Sequence, residues 1–309
     1  MDRLERMPVP LLPTFVGALT LSNVYAGMNY VWVRHLTMWA ATIIWLLYII
    51  KIIRYPNTCK KEYSNTVPAS LYAGFTMVMM ILGSYYFDYV PMLGKALWTI
   101  GLVVHAGHIL LFTYNNVIKK RDINTFVPSW FVTYNGIMVS CVVGAFMNAG
   151  AILKYVVYYG IIIYLIIIPI MIWRLLTVEV KAGVYHTMAV VLAPCSLCVV
   201  SYLNVIEKPN QTLLFFLYAC VLASVAFIIL KLPKFFAFSF APGFAGMTFP
   251  MAIGCVATSK MSAYLTAQGM EKLAGYTGQL FGIQLYLTTM IVGFVLLNFL
   301  IMALKIERK

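Results

Sequence analysis

Charged residues are scarce in this 309-residue chain: Asp, Glu, Lys and Arg make up 10% of it, and only nine residues are acidic. Soluble domains carry about 25% charged residues. The scarcity excludes a soluble globular protein, and the lack of any long polar stretch excludes an attached soluble domain. A hydrophobic content of 62% and a mean hydropathy of +0.89 instead predict one membrane-embedded domain over residues 1–309.

Groups that carry catalytic chemistry are also scarce. The sequence shows no paired carboxylates, no three-ligand metal set and no activated nucleophile, so we expect neither an enzyme nor a cofactor or metal site. His105 and His108 stand one helical turn apart, but two ligands do not make a metal site. The six cysteines lie mostly in apolar stretches, and the C-x-x-C of Cys195 and Cys198 lacks the loop-to-helix context of a redox motif. No disulfide framework is expected.

Ten apolar stretches are long enough to cross a bilayer, which takes about 20 residues per helix. They cover residues 11–31, 37–53, 66–87, 92–117, 126–147, 152–173, 184–205, 211–230, 240–262 and 275–304. With ten spans, both chain ends lie on the same side of the membrane. We therefore predict a multi-pass protein of the cell membrane, surrounded by lipid.

The basic residues indicate which side that is. One side would hold six of the 22 Lys and Arg, namely Arg34, Lys95, Lys154, Lys208, Lys260 and Lys272, which leaves 16 on the side of the termini. The positive-inside rule then predicts cytoplasmic N and C termini. The positive-inside rule explains why most of the basic residues, and hence most of the net charge of +13, are present. No nucleic-acid partner is therefore expected. Positive rims would also concentrate anions near a pore.

Prolines alternate along the predicted spans. Every odd-numbered span contains one, whereas only Pro169 falls in an even-numbered span. Successive odd-span prolines are 55 to 66 residues apart (68 − 13 at the shortest, 194 − 128 at the longest), and their positions are Pro13, Pro68, Pro128, Pro194 and Pro250. This period indicates one helical hairpin repeated five times.

The two classes of span differ in composition. Odd spans mix Pro and Gly with Ser, Thr, Cys and Ala, whereas even spans are rich in large aliphatic residues that suit a lipid-facing surface. We expect five odd helices to surround a pore whose lumen lacks fixed charge. Pro194 and Pro250 lie about ten residues into their spans and predict helix kinks, since proline removes an i→i−4 hydrogen bond. Pro13, Pro68 and Pro128 lie near span starts, where no kink is required.

Four runs of sequence resemble the tellurite-resistance/dicarboxylate transporter family. They are PTFVGALTLSN (13–23), FVPSWF (126–131), TMAVVLAPCSLCVVSYLN (187–204) and GMTFPMAIG (246–254). The family includes bacterial TehA, fungal malate permeases and the plant guard-cell slow anion channels, and the repeat pattern covers essentially the whole chain. No single run is specific, but their order over ten spans is.

The resemblance implies an all-α membrane fold of ten transmembrane helices, arranged as five hairpins around a quasi-five-fold central pore. It also implies a homotrimer in which each protomer has its own pore, lined by helices 1, 3, 5, 7 and 9. In the family a phenylalanine of the ninth helix blocks the pore, and Phe249 occupies that position here. The candidates for pore lining are Pro13, Gly17, Pro68, Gly74, Pro128, Thr133, Gly136 and Thr248.

These observations predict a gated channel for small inorganic or organic anions. A neutral lumen binds anions weakly, which favours conduction because a permeant ion must leave as readily as it enters. The alternative is a secondary transporter of a dicarboxylate or tellurite-related oxyanion, with or without proton coupling. A transporter would require a substrate-holding cation or a proton carrier at membrane depth. The odd spans offer only His186 for that role.

Overall fold

The computed structural model describes residues 3–305, with side chains for residues 3–304. The predicted cytoplasmic ends of the chain, residues 1–2 and 306–309 with Arg308 and Lys309, lie outside the described residues. Helices account for the regular structure of the described range, in which no β-strand occurs. The prediction of an all-α protein is therefore confirmed.

Thirteen α-helices occupy the described range. In chain order they are α1 (Leu11–Gly27), α2 (Val31–Arg54), α3 (Pro56–Tyr63), α4 (Thr66–Leu71), α5 (Ala73–Phe87), α6 (Pro91–Thr113), α7 (Trp130–Tyr134), α8 (Val139–Val143), α9 (Ile152–Thr177), α10 (Leu192–Val205), α11 (Gln211–Phe236), α12 (Thr248–Ala267) and α13 (Glu271–Lys305). A π-helix (Tyr114–Lys120) continues α6. Four 3-10 helices complete the set: Ile123–Thr125, Gly136–Met138, Ala182–Val191 and Pro242–Met247.

Seven helical stretches are long and apolar enough to cross a membrane, which identifies a multi-pass membrane protein. They are Val31–Arg54, Thr66–Phe87, Pro91–Lys120, Ile152–Thr177, Ala182–Val205, Gln211–Phe236 and Glu271–Leu304. The first, fifth and ninth predicted spans also contain helix, but α1 is shorter, α7 and α8 are separated by a 3-10 turn, and α12 follows a 3-10 helix. The arrangement as five hairpins stays a prediction.

The structure separates buried from peripheral helices, as the two compositions predict. In the third and seventh spans, 83% of the most apolar window is buried, against 22–39% in the other five long stretches. Small and hydroxylic side chains allow the buried helices to approach one another closely. The large aliphatic side chains of the peripheral helices stay exposed, as Leu176 and Leu230 do, on the surface that lipid would cover.

Five helices from the odd spans form a closed cycle of contacts, which we call the inner ring. Helix α1 packs on α5, α5 on α8, α8 on α10, α10 on α12, and α12 returns to α1. The long helices of the even spans pack outside the ring, with α2 against α1, α6 against α5, α11 against α10 and α13 against α12. One chain therefore closes the ring by itself.

Four of the five odd-span prolines share one position. Pro13, Pro68, Pro194 and Pro250 are each the third residue of an α-helix. The first four N–H groups of an α-helix have no partner within it, so proline there costs no hydrogen bond. The kink prediction for Pro194 and Pro250 assumed α-helix throughout the span. Instead, a 3-10 helix precedes each of these α-helices, so the change of backbone geometry occurs just before the proline.

The alternation of prolines is less strict than the sequence predicts. Helix α6 begins at Pro91, and α11 contains Pro233 three residues before its end. The predicted spans were residues 92–117 and 211–230. Helix α6 begins before the first of these and α11 ends after the second, so both prolines lay outside the predicted spans. Pro91 stands at the first helical position, where proline is well tolerated.

Candidate ion pathway

A cavity of about 500 Å³ lies within the inner ring. Helices α1, α5, α8 and α12 of the ring contribute to its walls, and α13 adds one side chain from outside. We call it the Phe249 cavity. Its lining residues are Thr20, Asn23, Val24, Gly27, Met28, Ile81, Val139, Val142, Val143, Phe249, Ile253, Val256, Ser259, Lys260, Ala263 and Phe281.

Helix α12 provides one continuous face of the cavity. Phe249, Ile253, Val256, Lys260 and Ala263 follow one another at intervals of four and three residues, which places them on one side of an α-helix. At 1.5 Å per residue, the separation of eleven positions between Phe249 and Lys260 corresponds to about 16 Å along the helix axis. The cavity is therefore an elongated vestibule with an aromatic residue at one end and a cation at the other.

The walls of the cavity are largely apolar. Among its lining residues Lys260 alone carries a charge, and its side chain is exposed. Asn23 and Ser259 add uncharged polar groups at the same end. An anion entering here would meet one positive charge at the mouth and no negative charge along the wall.

Phe249 lies at the deep end of the cavity. It is the lining residue closest to the start of α12, and only 4% of its surface is exposed. The corresponding deepest lining residues of the three neighbouring ring helices are Thr20 in α1, Ile81 in α5 and Val139 in α8. Of the residues that the sequence nominated for the site, Phe249 alone lines this cavity. Its role as a gate stays a prediction.

Three other residues that the sequence predicts to line the pore, Pro13, Gly17 and Thr248, lie where α1 contacts the start of α12. A Cβ atom added to Gly17 would lie 2.6 Å from the backbone nitrogen of Phe249 and 2.7 Å from the carbonyl carbon of Thr248. The Thr248 hydroxyl contacts two carbonyl oxygens, those of Ala245 at 2.8 Å and Pro13 at 3.3 Å. Gly17, Pro13 and Thr248 thus hold the backbone that carries Phe249.

The remaining nominated residues lie at helix contacts outside the cavity wall. A Cβ atom on Gly74 would lie 3.0 Å from the backbone nitrogen of Pro13, and one on Gly136 would lie 2.9 Å from the His105 ring. Pro128 is buried and Pro68 is half-buried. Pore lining by these residues stays a prediction.

Thr133, the last nominated residue, belongs to a hydrogen-bonded cluster between the third, fourth and fifth spans. Its hydroxyl lies 3.2 Å from His108 Nε2 and donates to the carbonyl of Ser70 at 3.3 Å. The Thr133 carbonyl accepts from His105 Nε2 at 2.9 Å, and Thr76 Oγ1 lies 2.6 Å from His105 Nδ1. All these bonds form when both imidazoles carry a proton on Nε2. The cluster satisfies the two histidines as packing groups.

Two buried cations lie at helix ends, away from the cavity lining. Lys51, near the end of α2, contacts both carboxylate oxygens of Glu62, at 2.7 and 3.0 Å, and the carbonyl of Met7 at 2.8 Å. Arg174, near the end of α9, donates to the carbonyls of Asn124 at 3.2 Å and Val178 at 3.4 Å. Both tie loops to helices, and neither offers an ion-binding charge at mid-membrane depth.

Most residues of the cavity wall were not predicted from the sequence. Ile253, Val256 and Lys260 follow Phe249 at helical spacing, so the face of α12 could be traced from the sequence once Phe249 was chosen. Ile81 and Val139 carry no such signal, because apolar residues on a buried helix resemble one another. Their place in the wall depends on how the helices pack.

A known family model matches nearly the whole chain. The SLAC1 family model, described as voltage-dependent anion channel, matches residues 13–304. No curated protein sequence matches the chain significantly.

Proposed function

Since this chain belongs to the SLAC1 family of voltage-dependent anion channels, a family of channels and transporters, we propose that it is a gated anion channel. In this proposal the conduction path runs through the inner ring and includes the Phe249 cavity as its outer vestibule. Small inorganic or organic anions are the permeant species. The Phe249 side chain closes the path, and its displacement opens it.

The position of Phe249 is the observation that carries the proposal. An aromatic ring at the deep end of an apolar vestibule leaves no polar surface on which a continuous column of water could form, and hydrophobic constrictions block ions in this way. The deepest lining residues of α5 and α8, Ile81 and Val139, are also apolar, and the Thr20 hydroxyl of α1 already donates to the Val16 carbonyl at 2.8 Å. Movement of one side chain would therefore be enough to change the wetting of the path.

Selectivity for anions would come from the field of the protein rather than from a binding site. Lys260 at the mouth attracts anions, and the absence of acidic residues along the cavity lining removes the charge that would hold cations. Without a fixed cation at depth, an ion that enters loses water with little compensation. We therefore expect large, weakly hydrated monovalent anions to pass more readily than chloride.

The inner ring closes within one chain, so a conduction path needs no second copy. A homotrimer would then contain three separate paths, one in each protomer. We propose this assembly, in the cell membrane and with both termini cytoplasmic, as the form that conducts. The peripheral helices supply exposed aliphatic surface for contact with lipid or with another protomer.

A coupled transporter of dicarboxylate or oxyanion finds less support. The nominated carrier His186 is not a lining residue of the Phe249 cavity. Its Nε2 atom lies 3.0 Å from the carbonyl oxygen of Phe235, and its ring centre lies 3.9 Å from that of Phe244. These contacts hold the imidazole in an aromatic cluster, where it is poorly placed to take up a substrate.

Reversal potentials in planar bilayers test the proposal. Purified protein is reconstituted with a tenfold nitrate gradient, first at equal pH and then with a gradient of two pH units. A channel gives currents that reverse at the nitrate equilibrium potential in both conditions. A reversal potential that shifts with the proton gradient would show coupling. An absence of any anion-dependent current in both the wild type and a correctly folded Phe249→Ala variant would reject the channel.

A further inference from the structure

A second cavity, of about 560 Å³, lies at the opposite end of the molecule from the mouth of the Phe249 cavity. The end of α2, helix α3, the start of the third span and the π-helix surround it. We call it the lysine pocket. Its lining residues are Ile52, Cys59, Lys60, Tyr63, Ser64, Tyr72, Asn115, Lys119 and Lys120.

Three lysines line the pocket, and their charge is not balanced. Within the described part of the chain, Lys60, Lys119 and Lys120 form no ion pair with a carboxylate. Two acidic residues are near these lysines in sequence. Glu62 already pairs with Lys51 at 2.7 Å and accepts a hydrogen bond from Tyr72 at 2.5 Å, and Asp122 accepts from the Asn124 side chain at 3.0 Å. The pocket therefore presents about three positive charges to an incoming ligand.

Local backbone geometry brings two of these lysines to the pocket. Tyr114–Lys120 is a π-helix, whose wider turn changes the direction of side chains relative to the preceding α6, and such turns occur frequently at functional sites. The Lys120 ammonium donates to the Ser64 carbonyl, and the Lys119 ammonium lies 4.7 Å from the centre of the Tyr114 ring. Neither contact neutralises charge, so both lysines remain able to bind an anion.

The pocket borders an apolar surface. Ile52 lines it and is 38% exposed, and the neighbouring Ile53 is 75% exposed. On the other side, Val117 and Ile118 of the π-helix are exposed as well. A ligand that combines a phosphate group with an acyl chain would match both parts, whereas a free anion would leave the apolar rim unused.

We propose that the lysine pocket binds the phosphate headgroup of an anionic phospholipid. The ammonium groups of Lys60, Lys119 and Lys120 contact the phosphate, and the acyl chains lie along Ile52 and Ile53. By the distribution of basic residues, this end of the molecule faces the cytoplasm, where anionic lipids are found. The proposal does not depend on whether the protein conducts ions.

Hydrogen bonds connect the lysine pocket to the fifth span. The Tyr63 hydroxyl, at the pocket, lies 2.8 Å from His108 Nδ1, and His108 Nε2 in turn lies 3.2 Å from the hydroxyl of Thr133 in α7. Burial raises the pKa of Tyr63 to about 12, so its hydroxyl remains a donor at neutral pH. A headgroup that orders Tyr63 would therefore also order the fifth span.

Native mass spectrometry of the purified protein tests the proposal. Wild type and the triple variant K60Q/K119Q/K120Q are titrated with dioleoyl phosphatidylglycerol and, separately, with dioleoyl phosphatidylcholine. Each basic residue near an anionic lipid contributes roughly a factor of five in affinity, so we expect the triple variant to bind phosphatidylglycerol about 100-fold more weakly. Binding of phosphatidylcholine should be unchanged.

A control triple variant, K181Q/K231Q/K234Q, removes the same charge from the same predicted side but leaves the pocket intact. It should bind phosphatidylglycerol as wild type does, and K60R/K119R/K120R should retain binding in a pocket of altered shape. An equal loss in the pocket and control variants would overturn the proposal in favour of diffuse electrostatic attraction. Competition by soluble glycerol phosphate at the same concentration as the lipid would identify a free-phosphate site and overturn the lipid assignment.

Discussion

Gly17 of α1 and Phe249 of α12 approach so closely that a Cβ atom on Gly17 would lie 2.6 Å from the Phe249 backbone nitrogen. Real Cβ atoms essentially never approach another heavy atom this closely. The start of α12 is therefore fixed by direct backbone contact with α1. The side chain of Phe249 can move about its own torsions, while the backbone that carries it is held in place.

Replacing Gly17 with alanine should disturb this contact. The added methyl group would meet backbone atoms, which cannot rotate away, so α1 and α12 must separate. We expect a loss of about 1–3 kcal/mol in the free energy of unfolding, as for other overpacked sites. Thermal unfolding of the detergent-solubilised protein measures the change. Gly282→Ala in α13 is a matched control, because nothing lies within 4 Å of a Cβ atom there, and an equal loss in both variants would contradict the assigned contact.

Phe249→Ala should raise anion conductance severalfold or more. Removing the ring opens the deep end of the cavity to water, while the backbone contact with Gly17 remains. Single-channel recording in bilayers measures the effect, with Phe216→Ala as the control, since Phe216 is 50% exposed on the peripheral helix α11. Unchanged conductance in a correctly assembled Phe249→Ala protein would show that the ring does not close the path.

The sequence predicted the class of fold and the division into two kinds of helix, because composition alone separates small, hydroxylic residues from large aliphatic ones. It also nominated Phe249, but only through resemblance to a family. The structure shows this residue lining a cavity, and its role as a gate stays a prediction. The proline pattern carries less information about local backbone geometry, and kinks at Pro194 and Pro250 stay a prediction. Pro194 and Pro250 were assigned kinks from their depth in apolar stretches, whereas hydropathy cannot distinguish a 3-10 helix from the α-helix that follows it.

Glycines and threonines are ambiguous signals of pore lining for a related reason. Small residues suit both a wetted lumen and a close helix contact. Gly17, Gly74 and Gly136 proved to lie where another backbone or ring approaches, and Thr133 binds histidines. The choice between these environments depends on which helices are neighbours, and one sequence does not contain that information.

Lys260→Gln should reduce anion conductance, with the largest effect at low salt. Lys260 is the charged residue at the cavity mouth, and at low ionic strength its field concentrates anions that screening would otherwise disperse. Conductance measured at 20 mM and 1 M salt should show a loss of about twofold or more at the lower concentration and little loss at the higher one. Lys272→Gln removes a charge from the same predicted side but outside the cavity lining, and an equal effect there would assign the loss to general surface charge.

Lys51→Met should destabilise the protein strongly, although Lys51 lies far from the Phe249 cavity. The Lys51 side chain is fully buried, and its ammonium pairs with Glu62, whose side chain is 25% exposed. Removing one partner of a buried ion pair leaves the other charge unsatisfied, at a cost of about 3–5 kcal/mol. Partial exposure of Glu62 and its hydrogen bond from Tyr72 place the expected loss near the lower limit.

The double variant Lys51→Met/Glu62→Gln removes both charges and should recover part of the lost stability in thermal unfolding. If the double variant is less stable than Lys51→Met, the carboxylate of Glu62 must stabilise this end of the molecule through Tyr72 even without its cation, and the ion pair is not the main source of stability.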